Sequence, residues 1–168
     1  MRHFTPGWQR NISDELTKKV AANGGVVMIN YGSAFLTEEA NGYSGKRTAA
    51  REAHQETLGR TLTNDETEAF NTTWNADNPY PFATLDDVLD HIDHAVKIAG
   101  IDHVGIGSDY DGVGDSLPEG LKDVSSYPAL AQGLIDRGYD MEAVEKILGG
   151  NALRVWEAVE DARRRRRF

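Results

Sequence analysis

The 168-residue chain contains no cysteine, which excludes a disulfide scaffold, thiolate-held zinc or iron–sulfur centres and a thiol nucleophile. Chemistry is left to carboxylate, imidazole, guanidinium and hydroxyl groups, or to a metal on hard ligands. Long apolar runs are missing too. Nothing approaches the roughly 20 residues that cross a bilayer, and Met1-Arg2-His3-Phe4-Thr5-Pro6 lacks the apolar stretch of a secretory leader. A cytoplasmic location and no membrane partner are therefore expected. Positive charge is scarce, with 18 Lys and Arg against 27 Asp and Glu for a net charge of −9, so no general basic face is on offer for nucleic acid. Arg163 to Arg167 run against this trend; a basic tail over 163–168 reads as a solvated helix end that complements the C-terminal dipole. What remains, 39% hydrophobic residues plus 17 Gly, suits one ordinary globular unit.

Periodicity outlines the elements. Ser13 can cap a helix whose first turn carries Asp14 and Glu15, and Asn23-Gly24-Gly25 stops it. Val26-Val27-Met28-Ile29 follows as an unbroken apolar run, the pattern of a strand buried on both faces of a parallel sheet. Residues 33–83 are polar and rich in Thr, Asn and Ala, and read as an elaborated loop with helices at about 46–58 and 64–74. Leu85, Val88, Leu89, Ile92, Val96 and Ala99 share one face of a helix over 85–99 that Gly100 ends. His103 to Asp109 reads as a second strand, with His103 as a satisfied polar cap. Helices are then expected at about 128–137, 140–148 and 151–165, the last two separated by Gly149-Gly150. The pattern is α/β with parallel strands. Two strands alone leave two unpaired edges, so the chain looks like part of a larger sheet.

Few side chains stand out chemically. Asp109-Tyr110-Asp111-Gly112 closes the second strand, where α/β folds present side chains to ligands. A calcium loop fails because Val113 and Gly120 stand where acids belong, and a dinucleotide fingerprint fails because Tyr110 replaces the third Gly. Asp109 thus keeps two readings: a strand-end functional carboxylate, or an Asx turn shaping the next loop. His91 and His94 have a metal-compatible spacing on one helix, yet the helical wheel turns them from the apolar face toward Asp86, Asp87, Asp90 and Asp93 and hence toward solvent. Arg10, ahead of a capped helix, reads on its own as a surface residue.

Three stretches together resemble the membrane dipeptidase (renal dipeptidase) family of zinc peptidases in the amidohydrolase superfamily: Arg10-Asn11-Ile12-Ser13-Asp14-Glu15, Gly105 to Gly112, and Pro118 to Pro128. Ala21 to Val27 and Ile147 to Val155 add to the resemblance. It implies a (β/α)8 TIM barrel that hydrolyses dipeptides with two zinc ions at the strand ends, of which this chain supplies the carboxyl-terminal part: the last two parallel strands and their helices, over 1–162. The family's metal ligands, a His-x-Asp pair, a bridging Glu and two further His, have no counterpart here, so no metal ligand is assigned. Two substrate-handling positions carry over. Arg10 matches the arginine that holds the substrate carboxylate, and Asp109 the last-strand aspartate that moves a proton toward the leaving amine. The missing amino-terminal half of the barrel, or self-association, is the expected partner. A soluble, bacterial-type member is expected because an apolar anchor signal is absent. The competing expectation is a non-catalytic α/β module binding a partner through 33–83 or the strand edges.

Overall fold

The structure, a computed structural model, describes residues 1–165. Two parallel strands, β1 (Val27–Asn30) and β2 (Val104–Ser108), form the sheet. Helix α1 (Asp14–Ala22) precedes β1, with the Ser13 side chain capping Leu16 N. Between the strands lie a single turn α2 (Ser33–Leu36), a hairpin of α3 (Glu38–Leu58) and α4 (Asn64–Asp77), and α5 (Leu85–Ala99). After β2 come α6 (Tyr127–Asp136), α7 (Met141–Glu145) and α8 (Asn151–Arg165).

Helix α5 is the hub. Thr84 and Asp87 close its amino end as a capping box. Its Val88, Leu89 and Ile92 join Val27, Ile29 and Val104 of the strands and Leu130 and Leu134 of α6 in one core. Close approach of α6 requires Gly133, since an added Cβ there would lie 2.6 Å from Leu89 Cδ1. Asn151 opens α8 and is pinned to the strand side by donating to the Ile101 and Val104 carbonyl oxygens at 2.7 and 2.8 Å. His103 caps as expected, its Nδ1 lying 2.7 Å from the Gly25 carbonyl oxygen across the sheet.

Three expectations need correction. In region 33–83 the two expected helices are present, but α3 begins at Glu38 under a Thr37 cap, earlier than Gly42 and Gly45 suggest, and α4 runs to Asp77 from its own capping box of Thr63 and Glu66. Strand β1 is buried on one face only. Val27 and Ile29 point into the core, whereas Met28 is 43% exposed; continuous apolarity cannot distinguish a face covered within these residues from one left open.

The third concerns α5, whose covered face is wider than its apolar stripe. His91 is 1% exposed, not solvent-facing, because the amino-terminal turns and α1 pack over that side of the helix. Its Nε2 donates to the Leu36 carbonyl oxygen at 2.9 Å, which leaves Nδ1 to accept from the Met1 amino group at 2.6 Å. Both ring nitrogens are satisfied, so the polar ring can be buried. Burial lowers the imidazole to about 3 and the Met1 amine to about 5. His94 is also drawn in, bonding Asp14, while Asp90 and Asp93 are both held by Arg137 Nη1 at 2.6 Å.

The tail expectation is partly outside the described residues: Arg163, Arg164 and Arg165 form the last turn of α8, and 166–168 are not described. Along α8, Leu153, Trp156 and Val159 make an uncovered stripe, with Trp156 71% exposed.

Candidate functional site at the strand ends

The carboxyl ends of the two strands are brought together by a bulge. Register runs Ile29 to Ile106 and then Asn30 to Ser108, so Gly107 is the extra residue on β2. A Cβ at Gly107 would meet the Ile29 carbonyl oxygen at 3.1 Å, which explains a glycine there. The chain leaves β2 through two non-glycine residues in the left-handed region, Ser108 at φ 41° and Asp109 at φ 69°. Such a pair stores conformational strain that neighbouring contacts must hold.

Those contacts are specific. The Asn30 side chain donates from Nδ2 to Asp109 Oδ2 at 2.7 Å, and its Oδ1 accepts from Gly32 N–H at 2.8 Å. The Gly32 bond fixes the amide orientation, so Asn30 can only donate toward Asp109. On the other flank Gly112 leaves room for the carboxylate: a Cβ there would stand 2.0 Å from Asp109 Oδ1. The turn after β2 is closed by backbone, Gly112 N–H donating to the Asp109 carbonyl oxygen at 3.1 Å. The carboxylate bonds across the sheet to Asn30 and lies against Gly112 of its own loop. Tyr31 and Tyr110, each following one of these residues, pack edge to face at 5.8 Å and Tyr110 ties the next loop down by donating to the Asp123 carbonyl oxygen at 2.9 Å.

Arg10 is exposed, and its guanidinium lies 4.7 Å from the centre of the Phe35 ring. Asn11 anchors the backbone beside it, donating to Thr5 Oγ1 at 2.6 Å and to the Phe35 carbonyl oxygen at 2.8 Å. Arg10, Phe35, Met28 and Asn30 line one open pocket of about 410 Å³. Asp109 is joined to that pocket through Asn30. Arg10 and Asp109, far apart in sequence, are thus linked through Asn30, which lines the pocket with Arg10 and bonds Asp109. Asn30, Asn11 and Phe35 were not singled out in the sequence; the one available signal was a polar residue, Asn30, closing an apolar strand.

A metal centre does not fit this neighbourhood on the described residues alone. Among them, the grouping of ligand-type side chains that converges on one point is His3, Asp14 and His94 beside α5, and it does not include Asp109. One carboxylate with an amide is a proton-handling or binding arrangement, not a metal cage.

Comparison with known proteins bears on this geometry. The chain is 32% identical over 153 residues to an uncharacterized dipeptidase of Schizosaccharomyces pombe, a match covering 90% of this chain and 27% of the relative. The probable dipeptidase PvdM of Pseudomonas aeruginosa superposes with a TM-score of 0.65 at 27% identity, over 88% of this chain and 40% of that one. A metallo peptidase from Rhodobacter sphaeroides, solved with a phosphinate mimic of the dipeptide L-Ala-D-Ala, superposes with a TM-score of 0.55 at 27% identity, over 84% of this chain and 29% of that one. The chain thus spans well under half the length of these relatives, and its two strands are a partial fragment of a dipeptidase TIM barrel. The sequence profile of the membrane dipeptidases, peptidase family M19, matches residues 7–167, and the chain belongs to that family of metallopeptidases.

Proposed function

We propose that these residues form the carboxyl-terminal, substrate-handling part of a zinc dipeptidase. The observation that carries this is the Asp109 carboxylate, held at a strained strand end by Asn30 beside the pocket that Arg10 lines. Support comes from the relative solved with a dipeptide mimic. In this reading Arg10 binds the terminal carboxylate of the dipeptide, a task suited to a planar two-pronged donor. The Phe35 face beneath the guanidinium limits its orientations. Asp109 takes up a proton and passes it to the leaving amine, and Asn30 positions the carboxylate for both events.

Two zinc ions belong to this reading, held by residues of the barrel beyond these two strands. Bound there, they supply Lewis-acid polarisation and an acidified water. It follows that the 168 residues by themselves do not hydrolyse dipeptides. The open face of β1 and the Leu153, Trp156 and Val159 stripe of α8 are the surfaces on which the rest of the barrel, or a second copy, would pack.

The test is a chimera in which residues 7–165 replace the matching stretch of the Rhodobacter relative. Zinc-dependent hydrolysis of L-Ala-D-Ala by the chimera, together with none from the isolated chain, is the expected result. A folded, metal-loaded chimera without activity, or chelator-sensitive hydrolysis by the isolated chain, would contradict the proposal.

A further inference from the structure

Beside α5, three ligand-type side chains meet that the strand-end chemistry does not use. His3 comes from the amino-terminal turns, Asp14 is the first residue of α1, and His94 lies on α5. Each offers one ligand atom, and these atoms all lie within 4.8 Å of one another. We propose that His3, Asp14 and His94 bind one divalent transition-metal ion of the zinc class.

His94 Nε2 stands 2.8 Å from Asp14 Oδ1. That hydrogen bond accounts for two of the three residues. It does not involve His3, whose ring stacks on His94 at 4.2 Å and 11° and whose ligand nitrogen lies within 4.8 Å of the other two ligand atoms; since imidazole lone pairs lie in the ring plane, His3 must swing out of the stack to share an ion with His94. Two imidazoles and one carboxylate are the donor set that zinc takes, leaving a fourth position for water. Metal–ligand bonds of about 2.0–2.2 Å in a tetrahedron put ligand atoms about 3.4 Å apart. The Asp14 and His94 atoms are already closer than this, and His3, being exposed, can close the remainder by side-chain rotation.

The surroundings hold His94 in place. His94 keeps 12% of its side chain exposed, so its ring is set by packing. Phe4 fills the corner, edge-on to His3 at 4.9 Å and to His94 at 5.6 Å, and its face lies on the buried His91 at 4.4 Å. An ion there is also favoured by the net charge of −9. The acids nearest along α5, Asp90 and Asp93, are occupied by Arg137 and do not compete for it.

The experiment titrates the tag-free 168-residue chain with Zn²⁺ by calorimetry and with Co²⁺ by visible absorption. Cu²⁺ and Ni²⁺ are avoided because an amino terminus two residues before a histidine chelates them through backbone nitrogens. One equivalent of Zn²⁺ is expected to bind, with release of any protons held by the ligands. Bound Co²⁺ should show the strong visible bands of low coordination. His3→Ala should weaken Zn²⁺ binding at least about 10–100-fold, the loss typical of disturbing even a metal site's outer partners, with an unchanged circular dichroism spectrum. Asp14→Asn and His94→Gln should do the same, and if His94→Gln fails to fold, His3→Ala decides. No Zn²⁺ binding by the parent chain, or binding by His3→Ala at the parent affinity, overturns the proposal.

Discussion

The two faces of β1 have opposite fates. Val27 and Ile29 are buried against α5 and its partners, while Met28, between them on the other face, is 43% exposed. The helix side is complete: Leu130, Leu134 and Val88 are wholly buried, and the polar His91 has a partner for each ring nitrogen. The strained residues Ser108 and Asp109 stand where β2 ends. A complete helix layer thus backs an open strand face, as in one stretch of a barrel wall.

Substitution on the two faces should expose this division. Ile29→Ala removes a buried side chain and leaves a cavity, so it should cost about 2–5 kcal/mol of unfolding free energy. Met28→Ala, one residue away on the open face, should change stability by less than about 0.5 kcal/mol while reducing self-association of the isolated chain. Urea unfolding with sedimentation velocity measures both. Equal losses at the two positions would mean that the pocket face is covered.

A smaller effect tests the helix side through pH. His91 in the folded chain is held near 3, against an ordinary value of 6.5, chiefly by burial and then by the neighbouring Met1 amino group. Below 6.5 the unfolded chain binds a proton there that the folded chain refuses. The His91 contribution is therefore intact above about 6.5 and is lost as the pH drops from there toward 3, with a slope of up to about 1.4 kcal/mol per pH unit from this group. The Met1 amine, lowered from 8.0 to about 5 by burial, adds a slope of the same sign between those values. His91→Gln should flatten the acid limb in urea titrations at several pH values. An unchanged acid limb would contradict the burial of His91.

The sequence exposes some of this and hides the rest for physical reasons. Helix α5 is readable to the residue because Thr84 caps it, Gly100 ends it and its apolar stripe is continuous. The parallel pairing of β1 and β2 follows from short apolar runs separated by helices. The burial of His91 was not readable, because the wheel registers apolarity and not a ring nitrogen matched to a carbonyl 55 positions away. The early start of α3 is hidden in a similar way: Gly42, Gly45 and many polar residues suppress the pattern ahead of residue 46, while the Thr37 cap starts the helix at Glu38. At the strand ends the identities of Arg10 and Asp109 came from resemblance. Their link depends on Asn30 and the Gly107 bulge, which join positions no local pattern connects.

In the proposed reading Asp109, positioned by Asn30, handles the proton while Arg10 handles the substrate carboxylate. The most direct measurement is steady-state kinetics of Asp109→Asn and Arg10→Lys in the chimeric barrel. Asp109→Asn keeps the shape but carries no proton, and should lower kcat by about 10²-fold or more. Arg10→Lys keeps the charge but not the two-pronged geometry, and should mainly raise KM. Wild-type kcat in Asp109→Asn would contradict the account.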